Sequence, residues 1–378
     1  MIIKTKDFKE VATKILLAAD LDTNAANLEL VARNSSLYLN VTNKEYYVAV
    51  KFPLETEETF RAVVNAGEFF DRVKHTDTET FNLTIKNDAV IFSGDTFKYK
   101  IEMIYENADL MTLPVITIQN KTVEMNISND ILKSILNINS KELLKTKYLD
   151  VSELNKLYYI NKDGCFTFTN GACLNPFQLE KDVNLLLNDR IVRLFNLFKT
   201  DVKFTLGKDE IANGSIQTKV VLETEDTYLA AIIPGDDTLI NKVKQPCDAT
   251  KRYVDENYDH KLVISTDKLS KAINSFMSRS KNSKAGGEKV NTAYLPMAMN
   301  LENGKLVIKN KFDEYEIVEI KNESYSTGDY EMYVNLYDIK LVLDSCTVSE
   351  ITLNCGNHRS IIISRGTVSN LIPEVRKM

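Results

Sequence analysis

The sequence is short of the residues that build metal and redox sites. Its 378 residues include no tryptophan, three histidines and five cysteines. No two cysteines stand in a Cys-x-x-Cys pair, which argues against a structural zinc site. Scattered thiols are typical of a protein kept in a reducing cytosol, so we expect a cytoplasmic protein without a metal. The five are Cys165, Cys173, Cys247, Cys346 and Cys355.

Long apolar segments and catalytic motifs are also absent. No run of 18 apolar residues occurs, and the first residues lack the apolar core of a secretion signal. No Gly-x-Ser-x-Gly, His-Glu-x-x-His or Gly-x-Gly-x-x-Gly pattern is present, and residues 285–289 fit a glycine helix stop better than a phosphate loop. Cys173 with His260 or His358 as nucleophile and base has no support from spacing. Asp236-Asp237 fits a solvated turn better than a cation site, so we expect neither an enzyme nor a cofactor.

One supersecondary unit appears three times along the chain. Each copy begins with a short strand and a polar cap that lead into a helix, and later has a second helix followed by an alternating strand. A spacing of about 120 to 150 residues is the size of a domain rather than of a solenoid repeat. The openings are residues 3–8, 127–132 and 264–269, and the later pairs are 66–75 with 81–85, 187–199 with 202–206, and 335–346 with 351–354.

The repeat indicates an α+β fold class, in which each of three tandem domains combines antiparallel sheet with two helices. Asp-Gly and Asn-Gly turns between alternating segments are typical of hairpins. Prolines near residues 114 and 246 suggest where one copy ends and the next begins. We predict domains at 1–118, 119–247 and 248–378.

Charge is distributed unevenly between the helices and the rest of the chain. The formal net charge is −6, which by itself argues against a nucleic-acid partner. The six predicted helices nevertheless carry about +6 together, which leaves about −12 on the remainder. Such a distribution fits a protein that holds a polyanion on one face and repels it from the others. The alternative is that these lysines and arginines only solvate exposed helix faces.

Several segments, taken in order over the whole length, carry a resemblance to a known family. They are Ala26-Asn-Leu-Glu-Leu-Val31, Val64-Asn-Ala-Gly-Glu-Phe-Phe-Asp-Arg-Val73, Phe168-Thr-Asn-Gly-Ala-Cys-Leu174, Tyr333-Val-Asn-Leu-Tyr-Asp-Ile-Lys-Leu-Val-Leu343 and Leu371-Ile-Pro-Glu374. Through them the chain resembles the bacterial-type β sliding clamp, the processivity subunit of DNA polymerase III. The distance suits a divergent member, such as one encoded by a phage or a plasmid.

The resemblance implies a homodimer in which two chains join head to tail into a ring around double-stranded DNA. It also implies a non-enzymatic processivity factor that tethers the replicative polymerase after an ATP-driven clamp loader has opened the ring. The implied location is the cytoplasm, on the nucleoid or in a phage host. Contacts to phosphates would make DNA binding independent of sequence. The expected DNA-binding residues are Lys145, Lys147, Tyr148, Arg190, Arg193, Lys199, Lys268, Lys271, Arg279, Lys281 and Lys284.

A peptide-binding cleft is the second site that the resemblance implies. In the family it receives short partner segments, typically a glutamine followed by hydrophobic residues. Here Ala172 and Cys173 replace a His-Arg pair, and Thr238 stands where the family often has proline. The apolar positions Leu174, Val243 and Ile372 have a core alternative. The full set is Leu154, Thr169, Gly171, Ala172, Cys173, Leu174, Thr238, Lys242, Val243, Ile372 and Pro373.

A ring also needs a contact between unlike edges that closes on itself. We predict that Lys98 and Lys100 on one strand meet the acidic residues Asp313, Glu314 and Glu316 of another chain. The alternative is two solvated edge strands with protective charges. For the whole chain, the second hypothesis is a clamp-fold interaction scaffold that does not encircle DNA and needs neither basic helices nor paired edges.

Overall fold

The computed structural model describes the chain apart from residues 20–25, 55–56, 139–156, 169–171, 212–213, 236, 281–295, 303, 310–313, 322–323, 327, 329, 357–359 and 376–378. The side chains of residues 278–280, 296–298, 301 and 325–326 are likewise outside the description. None of the described helices has the length and apolar character needed to cross a membrane.

The described residues form seven α-helices, a short 3-10 helix at Phe195–Leu197 and 27 strands. The helices are α1 (Thr5–Leu16), α2 (Ala66–Lys74), α3 (Asn129–Asn137), α4 (Asp189–Leu194), α5 (Asp237–Asp255), α6 (Thr266–Ser280) and α7 (Leu336–Asp344). The strands are β1 (Ile2–Lys4), β2 (Asn27–Arg33), β3 (Ser36–Thr42), β4 (Tyr46–Pro53), β5 (Phe60–Asn65), β6 (Thr80–Ile85), β7 (Ala89–Ser93), β8 (Lys98–Glu102), β9 (Tyr105–Glu106), β10 (Asp109–Leu110), β11 (Lys121–Ile127), β12 (Leu157–Asn161), β13 (Gly164–Phe168), β14 (Ala172–Pro176), β15 (Asn184–Asn188), β16 (Val202–Glu210), β17 (Ile216–Glu223), β18 (Thr227–Ile233), β19 (His260–Ser265), β20 (Pro296–Glu302), β21 (Lys305–Lys309), β22 (Tyr315–Glu319), β23 (Tyr325–Ser326), β24 (Tyr330–Asn335), β25 (Glu350–Cys355), β26 (Ser360–Arg365) and β27 (Val368–Pro373).

The chain divides into two compact units, of which unit one comprises residues 1–133 and 190–235. Its largest sheet has eight strands in the order β11-β16-β17-β18-β4-β3-β2-β5, and a second sheet has the order β1-β6-β7-β8. Helix α1 buries Phe8, Ala12 and Ile15, whose spacing places them on one helix face. The apolar face of this helix therefore closes part of the core of unit one.

Unit two comprises residues 134–189 and 236–378. Its nine-stranded sheet has the order β15-β12-β13-β14-β27-β26-β25-β19-β23, and its four-stranded sheet has the order β22-β21-β20-β24. Helices α6 and α7 contribute Leu269, Ile273 and Ile339 to one hydrophobic core. Helix α5 packs elsewhere, against β14, β15 and β27.

Asparagine residues stand at three equivalent strand-to-helix junctions. Asn65 Oδ1 accepts a hydrogen bond of 2.9 Å from the backbone N–H of Glu68 at the start of α2. Asn335 Oδ1 accepts one of 3.0 Å from the N–H of Tyr337 at the start of α7. Asn188 ends β15 directly before α4. An asparagine cap satisfies an N–H that the helix itself leaves without an acceptor, and its recurrence fits a repeated unit.

A buried carboxylate holds the connecting segment 114–120 against the eight-stranded sheet. Asp209 accepts hydrogen bonds from the backbone N–H groups of Gln119 (3.0 Å) and Asn120 (2.8 Å), and from Lys219 Nζ (2.8 Å). Burial acts to raise the pKa of Asp209, but these hydrogen bonds outweigh it and keep the pKa below its ordinary value. The path of the segment is therefore fixed by an ionised side chain.

Most of the predicted repeat elements are confirmed within a residue or two of their ends. The helices expected at 66–75 and 335–346 are α2 and α7, and the strands expected at 81–85 and 351–354 are β6 and β25. The strand expected at 202–206 is β16, which extends four residues further, to Glu210. The helix expected over 187–199 is wrong in its bounds, because residues 187–188 belong to β15 and Lys199 lies beyond the 3-10 helix. The run 185–187 pairs with β12, and a short apolar run fits strand and helix equally well.

Helix α5 is absent from the six helices that the sequence predicts. The predicted boundary at residue 247 falls within this helix, next to Pro246. Proline usually interrupts a helix because it has no N–H and its ring crowds the preceding turn. Here the helix continues and buries Val243, Cys247 and Thr250 along one face. Pairing of β18 with β4 and of β14 with β27 also carries the sheets across the predicted boundaries, and the three-domain division stays a prediction.

Candidate functional site

Two of the predicted DNA-binding arginines lie on α4 in unit one. Arg193 is exposed, whereas Arg190 is half-buried, with its guanidinium carbon 5.3 Å from the centre of the Tyr46 ring. An arginine over an aromatic face is held in place while it keeps its charge. Arg190 is therefore a positioned cation, and Arg193 is one that solvent reaches.

Lys199 lines a cavity of about 440 Å³ in unit one, together with Lys14, Lys51, Glu225 and Asp226. Lys14 Nζ lies 3.1 Å from Asp226 Oδ2, so these two charges balance each other. Burial acts to raise the pKa of Asp226, but hydrogen bonds from neighbouring hydroxyls and from Lys14 outweigh it and keep the pKa below its ordinary value. Lysines outnumber carboxylates in the lining, which makes the cavity weakly basic.

In unit two, those predicted DNA-binding residues that the structure describes lie on α6. Lys268 and Lys271 are exposed, and Lys268 forms an ion pair with Glu319 of β22. The hydrogen bond from Lys268 holds the pKa of Glu319 below its ordinary value. Arg279 belongs to the same helix, with its side chain outside the described part. Also outside it are Lys145, Lys147, Tyr148, Lys281 and Lys284.

The described positions of the predicted cleft come together in unit two. Strand β14 pairs with β27, with Cys173 opposite Asn370, and α5 packs against both strands. Three segments that are far apart in sequence thus meet at one place. They bring Ala172, Cys173 and Leu174 on β14 beside Ile372 and Pro373 on β27 and Thr238, Lys242 and Val243 on α5, while Leu154, Thr169 and Gly171 lie outside the described residues.

The apolar members of this set are buried. Leu174 is 3% exposed and Val243 is 0% exposed, and both belong to one core cluster with Tyr159 and Phe166. Ile372, which is 3% exposed, belongs to the separate cluster that α6 and α7 cover. In this structure all three side chains therefore have the positions that the core alternative expects. Solvent reaches the polar members Thr238 and Lys242, and Pro373.

The alternative in which Cys173 and His260 form a nucleophile and base is wrong. Cys173 lies on β14 and His260 on β19, and three strands separate these two in the sheet, or about 19 Å at the usual strand spacing. His260 is buried against Tyr330, with ring centres 5.1 Å apart, and burial lowers its pKa. His358 is outside the described residues.

A cation site at Asp236-Asp237 gains no support either. Asp237 is the first residue of α5 rather than part of a solvated turn, and Asp236 is not described. Within the described ranges, no group of three or more histidine, cysteine, aspartate or glutamate side chains is placed to hold a metal ion.

The two strands predicted to pair between chains are both edge strands. Strand β8 ends the β1-β6-β7-β8 sheet of unit one, and β22 ends the β22-β21-β20-β24 sheet of unit two. They share one burial pattern, exposed at the first, third and fifth residues and buried at the fourth. The exposed residues are Lys98, Lys100 and Glu102 on β8, and Tyr315, Ile317 and Glu319 on β22.

One predicted acidic partner lies on the helix side of its sheet. Glu316 is half-buried and accepts a hydrogen bond of 2.9 Å from Ser275 Oγ on α6. On β8 it is Tyr99 that faces a helix, because Arg72 of α2 lies 5.3 Å from its ring. The lysines of β8 alternate with Tyr99 and so lie on the side away from the helices. Glu314 is exposed directly before β22, and Asp313 is outside the described residues.

A scan against protein-family models and a search of curated proteins found no match to the sequence. Solved structures do match it. The DNA polymerase III beta subunit of Thermotoga maritima aligns over 100% of this chain and 99% of its own, with a TM-score of 0.74 and 15% identity. The subunit of Pseudomonas aeruginosa aligns over 100% of both chains, with a TM-score of 0.74 and 14% identity. The chain has the fold of the DNA polymerase III beta subunit.

A third similar structure has a partner bound. The Helicobacter pylori beta clamp in complex with a DNA ligase peptide aligns over 100% of this chain and 99% of its own, with a TM-score of 0.67 and 13% identity. The predicted resemblance to β sliding clamps and the α+β class are thereby confirmed at the level of the fold.

Proposed function

We propose that this protein is a DNA sliding clamp, a non-enzymatic processivity factor that encircles double-stranded DNA and tethers a polymerase in the cytoplasm. The observation that carries the proposal is the length of the structural match, which covers 100% of this chain and 99% to 100% of two beta subunits. A chain that kept only one clamp domain for another use would match a fraction of those structures. Here the alignment extends over nearly the full length of both chains.

Ring closure is proposed to use the two edge strands. Since each exposes an unpaired row of backbone N–H and C=O groups, β8 of one chain and β22 of another can continue one sheet. If both chains keep their helices on the same side, Lys98 and Lys100 share a face with Tyr315, Ile317 and Glu319. The acidic residue of β22 that shares this strand face is Glu319 rather than Glu316, and within its own chain it is also paired with Lys268 of α6.

DNA contact is proposed to come from exposed cations on the helices. Arg193 on α4 and Lys268 and Lys271 on α6 are all exposed. Cations of this kind bind phosphates without reading bases, and their attraction falls steeply with salt. In a ring, topology prevents escape, so weak contacts suffice and leave the protein able to slide.

Partner binding is proposed for the place where β14, β27 and α5 meet. The partners that this function requires are a replicative polymerase and a clamp loader, each presenting a short apolar segment. The structural neighbour bound to a DNA ligase peptide supports a peptide-type contact in this fold. In this chain that surface differs from an open groove, because Leu174 and Val243 are buried.

The deciding experiment compares retention on circular and linearised DNA, with a clamp loader and ATP. Retention on circles and rapid loss after linearisation is expected for a closed ring that slides off ends. Equal retention on both, abolished by moderate salt, would mean simple electrostatic binding. No retention on either, with a loader shown to act on its own clamp, would favour the interaction scaffold, to which the net charge of −6 is better suited.

A further inference from the structure

Helix α5 lies over the place proposed for partner binding. Its Val243 and Cys247 belong to the same cluster as Leu174, Tyr159 and Phe166 of the sheet below. Leu239 and Ile240, one turn nearer the start of the helix, are half-buried and pack on the same cluster. A peptide with apolar side chains would meet this helix before it met the apolar residues of β13 and β14.

Pro246 divides α5 into two halves. Because proline has no N–H, Pro246 cannot donate the helical hydrogen bond to the carbonyl of Lys242, and this weakens the helix here. We name residues 237–245 the cover segment. It contributes one fully buried side chain, Val243, and two half-buried ones, and its other described side chains are exposed.

The half of α5 after the proline is held more firmly. Cys247 and Thr250 are buried, at 2% and 1% exposure. Thr250 Oγ1 donates a hydrogen bond of 2.8 Å to the carbonyl of Pro246, and Lys251 Nζ lies 2.8 Å from Asp163 Oδ2 in the β12–β13 turn. This ion pair joins the second half of the helix to the sheet. A break at Pro246 would therefore free the cover segment and leave the rest of α5 in place.

We propose that the cover segment is an internal occupant of the partner site and that partner peptides displace it. Resting on the proposed function, this inference assigns the site a regulation. The displaced side chains Leu239, Ile240 and Val243 follow an i, i+1, i+4 spacing. The partner that replaces them carries two or three closely spaced aliphatic or aromatic residues, and it binds only the fraction of molecules in which the segment is open.

Hydrogen exchange of the full-length protein tests the motion without any partner. Amides of residues 241–245 are expected to exchange about tenfold faster or more than those of residues 250–255, because the first half opens locally. Equal protection of the two halves would overturn the inference and would leave the proposed peptide site untouched.

Peptide binding tests the displacement, with a fluorescein-labelled Gln-Leu-Val-Leu-Phe peptide and anisotropy as the readout. Leu239→Ser combined with Ile240→Ser weakens the hold of the segment and is expected to lower the Kd about fivefold. Pro246→Ala restores the missing N–H and is expected to raise the Kd. Lys244→Ser, on the exposed side of the same segment, is the matched control and is expected to change little.

The two variants are expected to act in opposite directions, which a simple contact role would not produce. If the double serine variant binds more weakly and Pro246→Ala is unchanged, the segment is a wall of the site and the inference is overturned. If no variant binds the peptide although the exchange data show opening, the proposed partner site itself fails. Pro246→Ala strengthens the helix, so its result stands even if the serine variant folds poorly.

Discussion

Each unit has a sheet with an exposed edge strand, β8 in unit one and β22 in unit two. The two strands have the same burial pattern but differ in the side chains that they expose. In β8 and in β22 exposed, half-buried and buried residues alternate in the same way. On the exposed face, β8 has the lysines Lys98 and Lys100, whereas β22 has Tyr315 at 61% exposure and Ile317 at 50%. A contact in which the same edge of both chains meets needs a surface that is complementary to itself. Neither edge has such a surface. The difference favours contact between unlike edges, the kind that builds head-to-tail rings.

The largest expected effect is on the stability of the folded chain, and it distinguishes residues needed for folding from residues needed for association. Asp209→Ala removes a buried carboxylate, which leaves two backbone N–H groups without their acceptor and the Lys219 ammonium without its counter-ion. We expect the free energy of unfolding to fall by about 3 kcal/mol, measured by urea denaturation of the monomer. Lys98→Ala, an exposed change on β8, is the control and is expected to stay within about 0.5 kcal/mol. If both variants unfold alike, the edge contributes to folding and is not a free surface.

The apolar edge should matter most for association. Tyr315→Ser combined with Ile317→Asp removes apolar area from β22 and places a charge there. We expect the Kd for self-association to rise about 100-fold, or about 2.7 kcal/mol, in sedimentation velocity. Ile216 on β17 is more exposed, at 69%, and its strand is neither of the two edge strands. Ile216→Asp is therefore the matched control, and an equal loss of association from it would contradict the assignment of β22.

The basic edge should contribute less. Lys98→Glu combined with Lys100→Glu is expected to weaken association about tenfold at low salt and less at high salt, because exposed charges are screened. Charge reversal on β22 tests which face of that strand meets the lysines. Glu319→Lys is expected to restore part of the association of the lysine variant. Glu316→Lys is expected not to, because Glu316 is half-buried and bonded to Ser275, whereas Glu319 is exposed; rescue by Glu316→Lys alone would reverse the assignment of the faces.

Much of the repeat could be predicted from local sequence. Asn65 and Asn335 are polar residues before an apolar helical pattern, and each does cap its helix. Periodicity also placed the strands after the second helices. These signals are local, since a cap and an alternating strand depend on residues within one or two turns.

The features that could not be predicted are those in which tertiary packing overrides a local sequence signal. Pro246 suggests a break, yet the apolar spacing of Ile240, Val243 and Cys247 keeps α5 helical because it packs on the sheet. That spacing was the available signal for the helix. The side of the sheet taken by Glu316 follows from where β22 begins, and a shift of one residue would reverse it. Sequence alone also leaves both a pocket and a core position open for Leu174 and Val243.

The smallest expected effect is the pH dependence of association. It concerns Glu319, the acidic side chain on the exposed face of β22 that Lys98 and Lys100 of another chain can meet. The hydrogen bond from Lys268 holds the pKa of Glu319 below its ordinary value. Glu319 can attract the lysines of another chain only while it is ionised, and the lowered pKa keeps it ionised to a lower pH than an ordinary glutamate. Association is therefore expected to stay constant between about pH 7 and 5 and to weaken about threefold below about pH 4. Glu319→Gln should abolish this dependence in sedimentation velocity. A loss between pH 7 and 5 would instead indicate a histidine and would remove Glu319 from the interface.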